Sequence, residues 1–329
     1  MRSAIFVYDK KGESQAEAFI SLIRDMERCG WFIEFTTSWQ DFVASDKKVD
    51  MLIAQTDALV QPMLDRPMVL LERLDGCQLT GATRRSIEHP NVLAVMKGWS
   101  FKNASDHCIY GDRRHVAEMN PAAHAGRPTP VSEGAQRKIK LAFSYACYRP
   151  VVSQMPAYLE WASERPVEAF FAGTVEYGVA EIQAHRQAAC DAVKAIPGGM
   201  ASAGRNIPAA NYTNLVRYSR CVVSPWGYGE VCYRDYEALL AGCDLIKPNS
   251  PWVETADRVF DSMGVLWCNH DFSDLAQVVA TSQETWKYRL PAKRDFADQL
   301  AAEYQKGVSA QRVAHILDGA YDRAASRST

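Results

Sequence analysis

Short apolar runs alternate with amphipathic stretches along most of this chain, and that rhythm constrains the fold more than any other feature. "SAIFVYD" (3–9), "WFIEFTT" (31–37), "VDMLIAQT" (49–56), "PMVLLERLD" (67–75) and "NVLAVMKG" (91–98) read as buried strands. Ser14–Cys29 reads as a helix, with Ala18, Ile20, Leu22, Ile23 and Met26 as its apolar members. A βαβ rhythm of this kind predicts an α/β fold with mainly parallel sheets and helices on both faces. Between Lys102 and Gln136 the rhythm breaks into Asn, Asp, His, Gly, Pro and Arg clusters, which predicts a long loop. "KIKLAFSYAC" (138–147) and "VEAFFAGT" (167–174) resume as strands, followed by a helix over Glu181–Ile196 and a short one over "NYTNLVRYSR" (211–220). "MGVLWCN" (263–269) is a last strand, and the rest is helical and charged. The expected division is a Rossmann-like domain over 1–136 ending in the long loop and a second over 137–300. A C-terminal helix within 301–329 is expected to pack back on the first.

Composition narrows the class. With 47% hydrophobic and 23% charged residues in 329, a disordered or fibrous chain is excluded. A formal charge of −2 argues against a strongly basic nucleic-acid binder, leaving a local basic strip around "CIYGDRRHV" open. Nine scattered cysteines, odd in number and without a CxxC pair, fit reduced structural thiols. No apolar run approaches the roughly 20 residues of a membrane span. A cytoplasmic protein is expected.

The segment "RCVVSPWGYGEVCYRDYEALLAGCDLIKP" (220–248) reads as strand, glycine turn, helix and strand. Gly227 and Gly229 flank Tyr228, a helix is expected over Glu230–Ala241, and a turn opening onto a helix N-terminus suits a phosphate. On that helix Glu230, Arg234 and Glu237 share one face at i, i+4 and i+7. They form either a solvated face with an ion pair or a ligand set, the arginine for a diphosphate and a carboxylate for ribose hydroxyls. Ser224, Gly227, Tyr228 and Gly229 complete the expected contacts of this turn. A second turn, "FFAGTVEYG" (170–178), offers Gly173 and Thr174 with Arg186 on the next helix, while His185 reads as a core histidine. In the first half, Glu72, Arg73 and Asp75 end a strand, where a carboxylate can act as a general base, cap the next helix or pair with Arg84 or Arg85. Asp75 is the first choice for a base and Asp9 the second; Lys97 and Lys102 are further candidates for acceptor or phosphate contact. The seven histidines form no HxH or HExxH pair, so no metal is expected, and no P-loop, GxSxG or Rossmann GxGxxG stands where its chemistry would need it.

These residues resemble the donor half of exostosin-like glycosyltransferases. Arg165-Pro166, Phe171, Gly173, Arg186, Ser219, Pro225, Gly227, Arg234, Glu237, Ala238, Gly242 and Cys243 fall on that family's pattern in order, over about a quarter of the chain. The resemblance implies a GT-B fold, two Rossmann-like domains facing across a cleft. It carries Arg186 and Arg234 over as diphosphate contacts and Glu237 as a ribose ligand. Glu230 and Glu237 enclose six residues, so the paired-glutamate motif of a related retaining family, with seven between, is not carried over. The N-terminal half matches nothing strongly enough to supply an acceptor site.

The implied activity is metal-independent transfer of a hexosyl or pentosyl group from a nucleoside-diphosphate sugar, expected to be UDP-linked, without a cofactor. The acceptor is expected to be a hydroxyl of a glycan or lipid-linked acceptor in bacterial surface glycan synthesis. If the reaction inverts configuration Asp75 serves as base; if it retains, none is needed. Other readings are a non-catalytic nucleotide- or sugar-binding module, a sugar-nucleotide epimerase, and a nucleic-acid-modifying glycosyltransferase.

Overall fold

The computed structural model describes residues 1–9, 13–45, 47–72, 76–110, 113–121, 130–144, 150–204, 207–305 and 307–327. The first part runs β1 (Arg2–Val7), α1 (Glu13–Arg28), β2 (Trp31–Thr36), α2 (Trp39–Ala44), β3 (Met51–Gln55), β4 (Met68–Leu71), α3 (Gly81–Ser86), β5 (Val92–Lys97) and β6 (Trp99–Phe101). Then come α4 (Asp106–Ile109), α5 (Arg114–Met119), α6 (Glu133–Gln136) and β7 (Ile139–Leu141). The second part runs α7 (Pro150–Leu159), β8 (Val167–Gly173), α8 (Ala180–Ala195), β9 (Gly199–Ala203), α9 (Ala209–Arg217), β10 (Ser219–Val223) and α10 (Tyr233–Leu240). It continues through β11 (Asp244–Pro248), β12 (Val253–Thr255), β13 (Val265–Cys268), α11 (Leu275–Gln305) and α12 (Val308–Ala325).

Two parallel sheets result, ordered β2-β1-β3-β4-β5-β7 and β9-β8-β10-β11-β13. Each sheet repeats one doubly wound order, in which the chain reverses direction between its first and third strands. In such sheets ligands bind outside the carboxyl ends at that reversal, here between β1 and β3 and between β8 and β10. The central strands are continuous apolar runs because helices cover both faces; β3, β4 and β5 are buried along their whole length. The carboxyl edges of the two sheets face each other, since Cys77, beyond β4, hydrogen-bonds Glu230, beyond β10. This is the GT-B build of two Rossmann-like halves.

The halves are joined by more than the covalent chain. β6 pairs antiparallel with β12, and the ribbon is flanked by the bonds Lys102 N to Trp252 O (2.8 Å) and Ala256 N to Gly98 O (3.0 Å). One apolar cluster spans both halves and includes Phe6, Phe143, Trp226, Tyr236 and Trp252. The helix α12 lies against α1, β4 and β5, and its Asp318 accepts from Trp31 Nε1 at 2.9 Å.

Several expectations change. The strand expected to open the second half at 138 forms the sixth strand of the first sheet, so the boundary at 136/137 precedes that sheet's last strand. The segment expected as one long loop carries α4, α5 and α6. The helix expected from Glu230 begins at Tyr233, with Cys232 as its N-cap.

Candidate functional site

The residues that gather at the second sheet's reversal are those of β8, α8, the turn after β10, and α10. Asp235, in the first turn of α10, fixes that helix. Its carboxylate accepts from Cys232 N at 3.0 Å and from the Ser224 hydroxyl at 2.5 Å, and it pairs with Lys247 at 2.9 Å; Asp235, Ser224 and Lys247 are fully buried. A charge pair removed from water survives only when hydrogen bonds satisfy its remaining sites, as here. With α10 pinned to β10 and β11, Arg234 points to the end of β8 and Glu237 toward α9.

Arg234 donates through Nη2 to Ala172 O, and its guanidinium lies 5.1 Å from the Phe171 ring centroid. Arg186 reaches the same place from α8. Its Nε donates to Thr174 O at 2.5 Å and its Nη1 to Trp226 O at 3.2 Å, with Pro225 O at 3.4 Å. Gly173 is the floor between them. A Cβ there would lie 2.6 Å from Arg234 Nη2 and 3.0 Å from Arg186 Nη2, so any side chain would displace the guanidinium ends. The two arginines are only 8% and 5% exposed, and among the described residues neither has a carboxylate within ion-pair distance. Among the described residues Arg234 Nε has no hydrogen-bond partner. Burial, reinforced by the neighbouring Arg234 charge, lowers the Arg186 pKa to about 10. For Arg234, burial also pulls downward, but the acidic groups of Tyr212, Cys232 and Glu237 outweigh it and the net direction is up.

One turn along α10, Glu237 is buried and its Oε2 accepts from the Tyr212 hydroxyl at 2.6 Å. Burial pushes the Glu237 carboxyl up, against the pull of the Tyr212 hydrogen bond and of Arg234. Tyr177 and Tyr228 stand over the other side of the cradle. Their rings meet edge-on at 4.9 Å, Arg186 lies 5.1 Å from the Tyr177 centroid, and Tyr228 is exposed.

The expected ligands divide accordingly. Gly173, Thr174, Arg186, Gly227, Tyr228, Arg234 and Glu237 line or border one place. Gly229 shapes the turn, its carbonyl accepting from Gly227 N at 3.1 Å. Ser224 does not face the cradle; it is fully buried with its hydroxyl held by Asp235. Glu230 lies outside α10 and shares no helix face with Arg234 and Glu237; its side chain turns toward the first half, against Cys77 and His115. The solvated-face reading also fails, because Arg234 and Glu237 are buried. His185 accepts from Trp226 N at 3.1 Å and stacks on that ring, and burial lowers its pKa to about 3. It is a neutral core histidine.

In the first half Asp75 lies outside the described residues. Asp9 follows β1 at that sheet's reversal, its amide donating to Gln55 Oε1 at 3.1 Å. Glu72 holds the N-cap residue of α3, accepting from Thr80 N at 2.9 Å and from its hydroxyl at 3.1 Å. Lys97 is buried and donates to Gln78 O at 2.9 Å, and Lys102 is exposed. Among the described residues no group of three His, Cys, Asp or Glu could hold a metal, and no helix is long and apolar enough to cross a membrane. Sequence reasoning missed Tyr212, Tyr177 and His115; only Tyr177, inside the quoted glycine turn, carried a local signal.

No family model matches the chain, and no curated protein matches it by sequence. Among solved structures it is similar to α,α-trehalose 6-phosphate synthase from Burkholderia multivorans, with a TM-score of 0.49 at 11% identity over the whole of both chains. It is also similar to the spinosyn rhamnosyltransferase SpnG complexed with thymidine diphosphate, with a TM-score of 0.43 at 11% identity over 92% of this chain and 96% of that one. A third is UDP-GlcNAc 2-epimerase from Neisseria meningitidis bound to UDP-GlcNAc, with a TM-score of 0.44 at 8% identity over 96% and 99%.

Proposed function

We propose that the second half binds a nucleoside-diphosphate sugar and that the chain is a glycosyltransferase. One observation carries this reading: two buried guanidinium groups converge on Gly173 with no carboxylate in ion-pair reach among the described residues. Buried charges ordinarily have a partner, and two arginine forks around one point fit the oxygens of a diphosphate. Negative charge grows on that group as the sugar leaves, so Arg186 and Arg234 would stabilise the transition state as well as the bound donor. Glu237 would take the ribose hydroxyls, and the Gly227–Gly229 turn would border the sugar. In this reading the acceptor is a hydroxyl of a glycan or lipid-linked molecule of the cell surface, and the donor is UDP-linked. The enzyme works in the cytoplasm without a metal, and the exostosin-like family is its nearest type. Asp75, or alternatively Asp9, would take the acceptor proton if the reaction inverts.

The test is calorimetric titration of wild type, Arg186→Ala and Arg234→Ala with UDP, GDP, TDP and CMP. A hydrogen bond to a charged group contributes about 1.5–3 kcal/mol, so each substitution should weaken the preferred diphosphate roughly 10- to 100-fold. Binding indifferent to both changes in folded protein would remove the reading. Incubating the protein with the matching nucleotide sugar alone separates the rivals. An epimerase alters the sugar without an acceptor, and a binding module neither alters nor slowly hydrolyses it.

A further inference from the structure

Across the junction of the halves, the turn that follows β10 is held from α5. His115 and Glu230 are both fully buried, with His115 Nδ1 3.3 Å from Glu230 Oε1. The other ring nitrogen, Nε2, lies 3.1 Å from Gly227 O. A carbonyl only accepts, so Nε2 is the nitrogen that carries the proton here, while Nδ1 faces the carboxylate oxygen. Glu230 is anchored in turn: its Oε2 accepts from Cys77 N at 3.2 Å and its Oε1 from Trp252 Nε1 at 3.4 Å. Burial alone would push the Glu230 carboxyl up, but the His115 ring outweighs it and holds the carboxyl below the usual range. Two residues before His115, the Arg113 guanidinium lies 5.0 Å from the Tyr228 centroid. Gly227, Tyr228 and Glu230 are thus all gripped by Arg113 and His115 of the first half.

The same turn aims the cradle. Trp226 O and Pro225 O, directly before Gly227, receive Arg186 Nη1, and the His115 ring lies 5.6 Å from the Trp226 ring. We propose that His115 is a positioning residue for the donor site: from the first half it clamps the Gly227–Glu230 turn that sets Arg186, so that filling the cradle and holding the halves together are coupled. This rests on the nucleotide reading above. Coupling of this kind is reciprocal, so a bound nucleotide tightens the His115 contacts as much as those contacts favour the nucleotide.

The test combines calorimetry with hydrogen exchange and ring nitrogen spectroscopy on the full chain, with UDP, GDP and TDP as probes. In His115→Gln the affinity for the nucleotide bound by wild type should fall about tenfold, within the usual range of such couplings. Amide exchange at 227–230 should quicken while β10 and β11 keep their protection. In wild type, histidine-selective 15N spectra should show a proton on His115 Nε2, and the bound nucleotide should shift that signal. Glu230→Gln, which removes the carboxylate and keeps the shape, should reproduce the loss of affinity and change the His115 signal. Wild-type affinity and unchanged exchange in both variants would overturn the proposal, as would a His115 signal indifferent to nucleotide. If His115→Gln does not fold, Glu230→Gln and the wild-type spectra still decide. A wild type that binds none of the probes removes the nucleotide reading, and with it the coupling. Faster exchange of the turn in His115→Gln would then still establish the clamp by itself.

Discussion

Burial raises the pKa of Glu237, so its ionised form costs stability in the folded chain. The sign follows from linkage: a carboxyl whose folded pKa lies above its unfolded value stabilises the fold below the unfolded pKa. It loses that contribution as pH rises through the folded one. At pH 7 the wild type therefore carries a penalty that Glu237→Gln removes, while the amide oxygen can still accept from Tyr212. We expect this variant to melt higher than wild type at pH 7, with the difference shrinking toward pH 4, and to bind nucleotide less well. A lower melting temperature at pH 7 would mean that the charge on Glu237 is needed to balance Arg234. At this scale the sequence was informative about which residues meet and less so about which ones stay buried for structure. Arg186, Arg234 and Glu237 were legible because a glycine at a strand end and an arginine on the following helix form a local pattern. Ser224 and Glu230 were misread for one reason: their partners, Asp235 with Lys247 and His115 with Cys77, are remote in sequence or on another element, and no local spacing announces them.

The element that decides the site is α10, and its start shows how a cap outweighs propensity. Residues 230–232 could extend a helix, yet Asp235 draws the Cys232 amide and sulfur to itself and sets the N-cap there. An acidic side chain three residues after the cap is the capping-box signal, disguised by cysteine in a place where serine or threonine is usual. Because Asp235 also holds Lys247, cutting that pair leaves a buried carboxylate without its counter-charge. Lys247→Met should destabilise the protein by about 3–5 kcal/mol, read as a lower midpoint in urea unfolding, and an unchanged midpoint would show that the pair is dispensable for α10. Other elements left little trace in the sequence. β9, "GMASA", is made of small residues around one exposed methionine at a sheet edge, β6 and β12 span three residues each, and α7 contains Pro156. Strands that short are defined by their partners, here each other.

Over the whole molecule, alternating strands and helices announce two parallel sheets, whereas the order of the strands and the course of the chain between halves do not follow from periodicity. The contacts that set them join residues hundreds of positions apart, such as Trp31 with Asp318. The course of the chain matters most at α12. Its buried residues, Val313, Leu317 and Ala320 among them, belong to the cluster that includes Phe19 and Leu22 of α1. Removing 306–329 should therefore leave a protein that binds a hydrophobic dye and melts lower, with recovery when a peptide covering 307–327 is added. A truncated chain as stable as the full one would show that α12 is only draped on the surface. The same placement bears on how the protein is made. On a ribosome domains tend to fold in the order in which they emerge, yet here the part of the first sheet around β4 and β5 waits uncovered beside α1 until the second half and then α12 have been synthesised. The half that emerges first is the half completed last, so a growing chain carries an exposed apolar strip through most of its translation, and a chaperone holding that strip would be needed longest just when the second half is already formed.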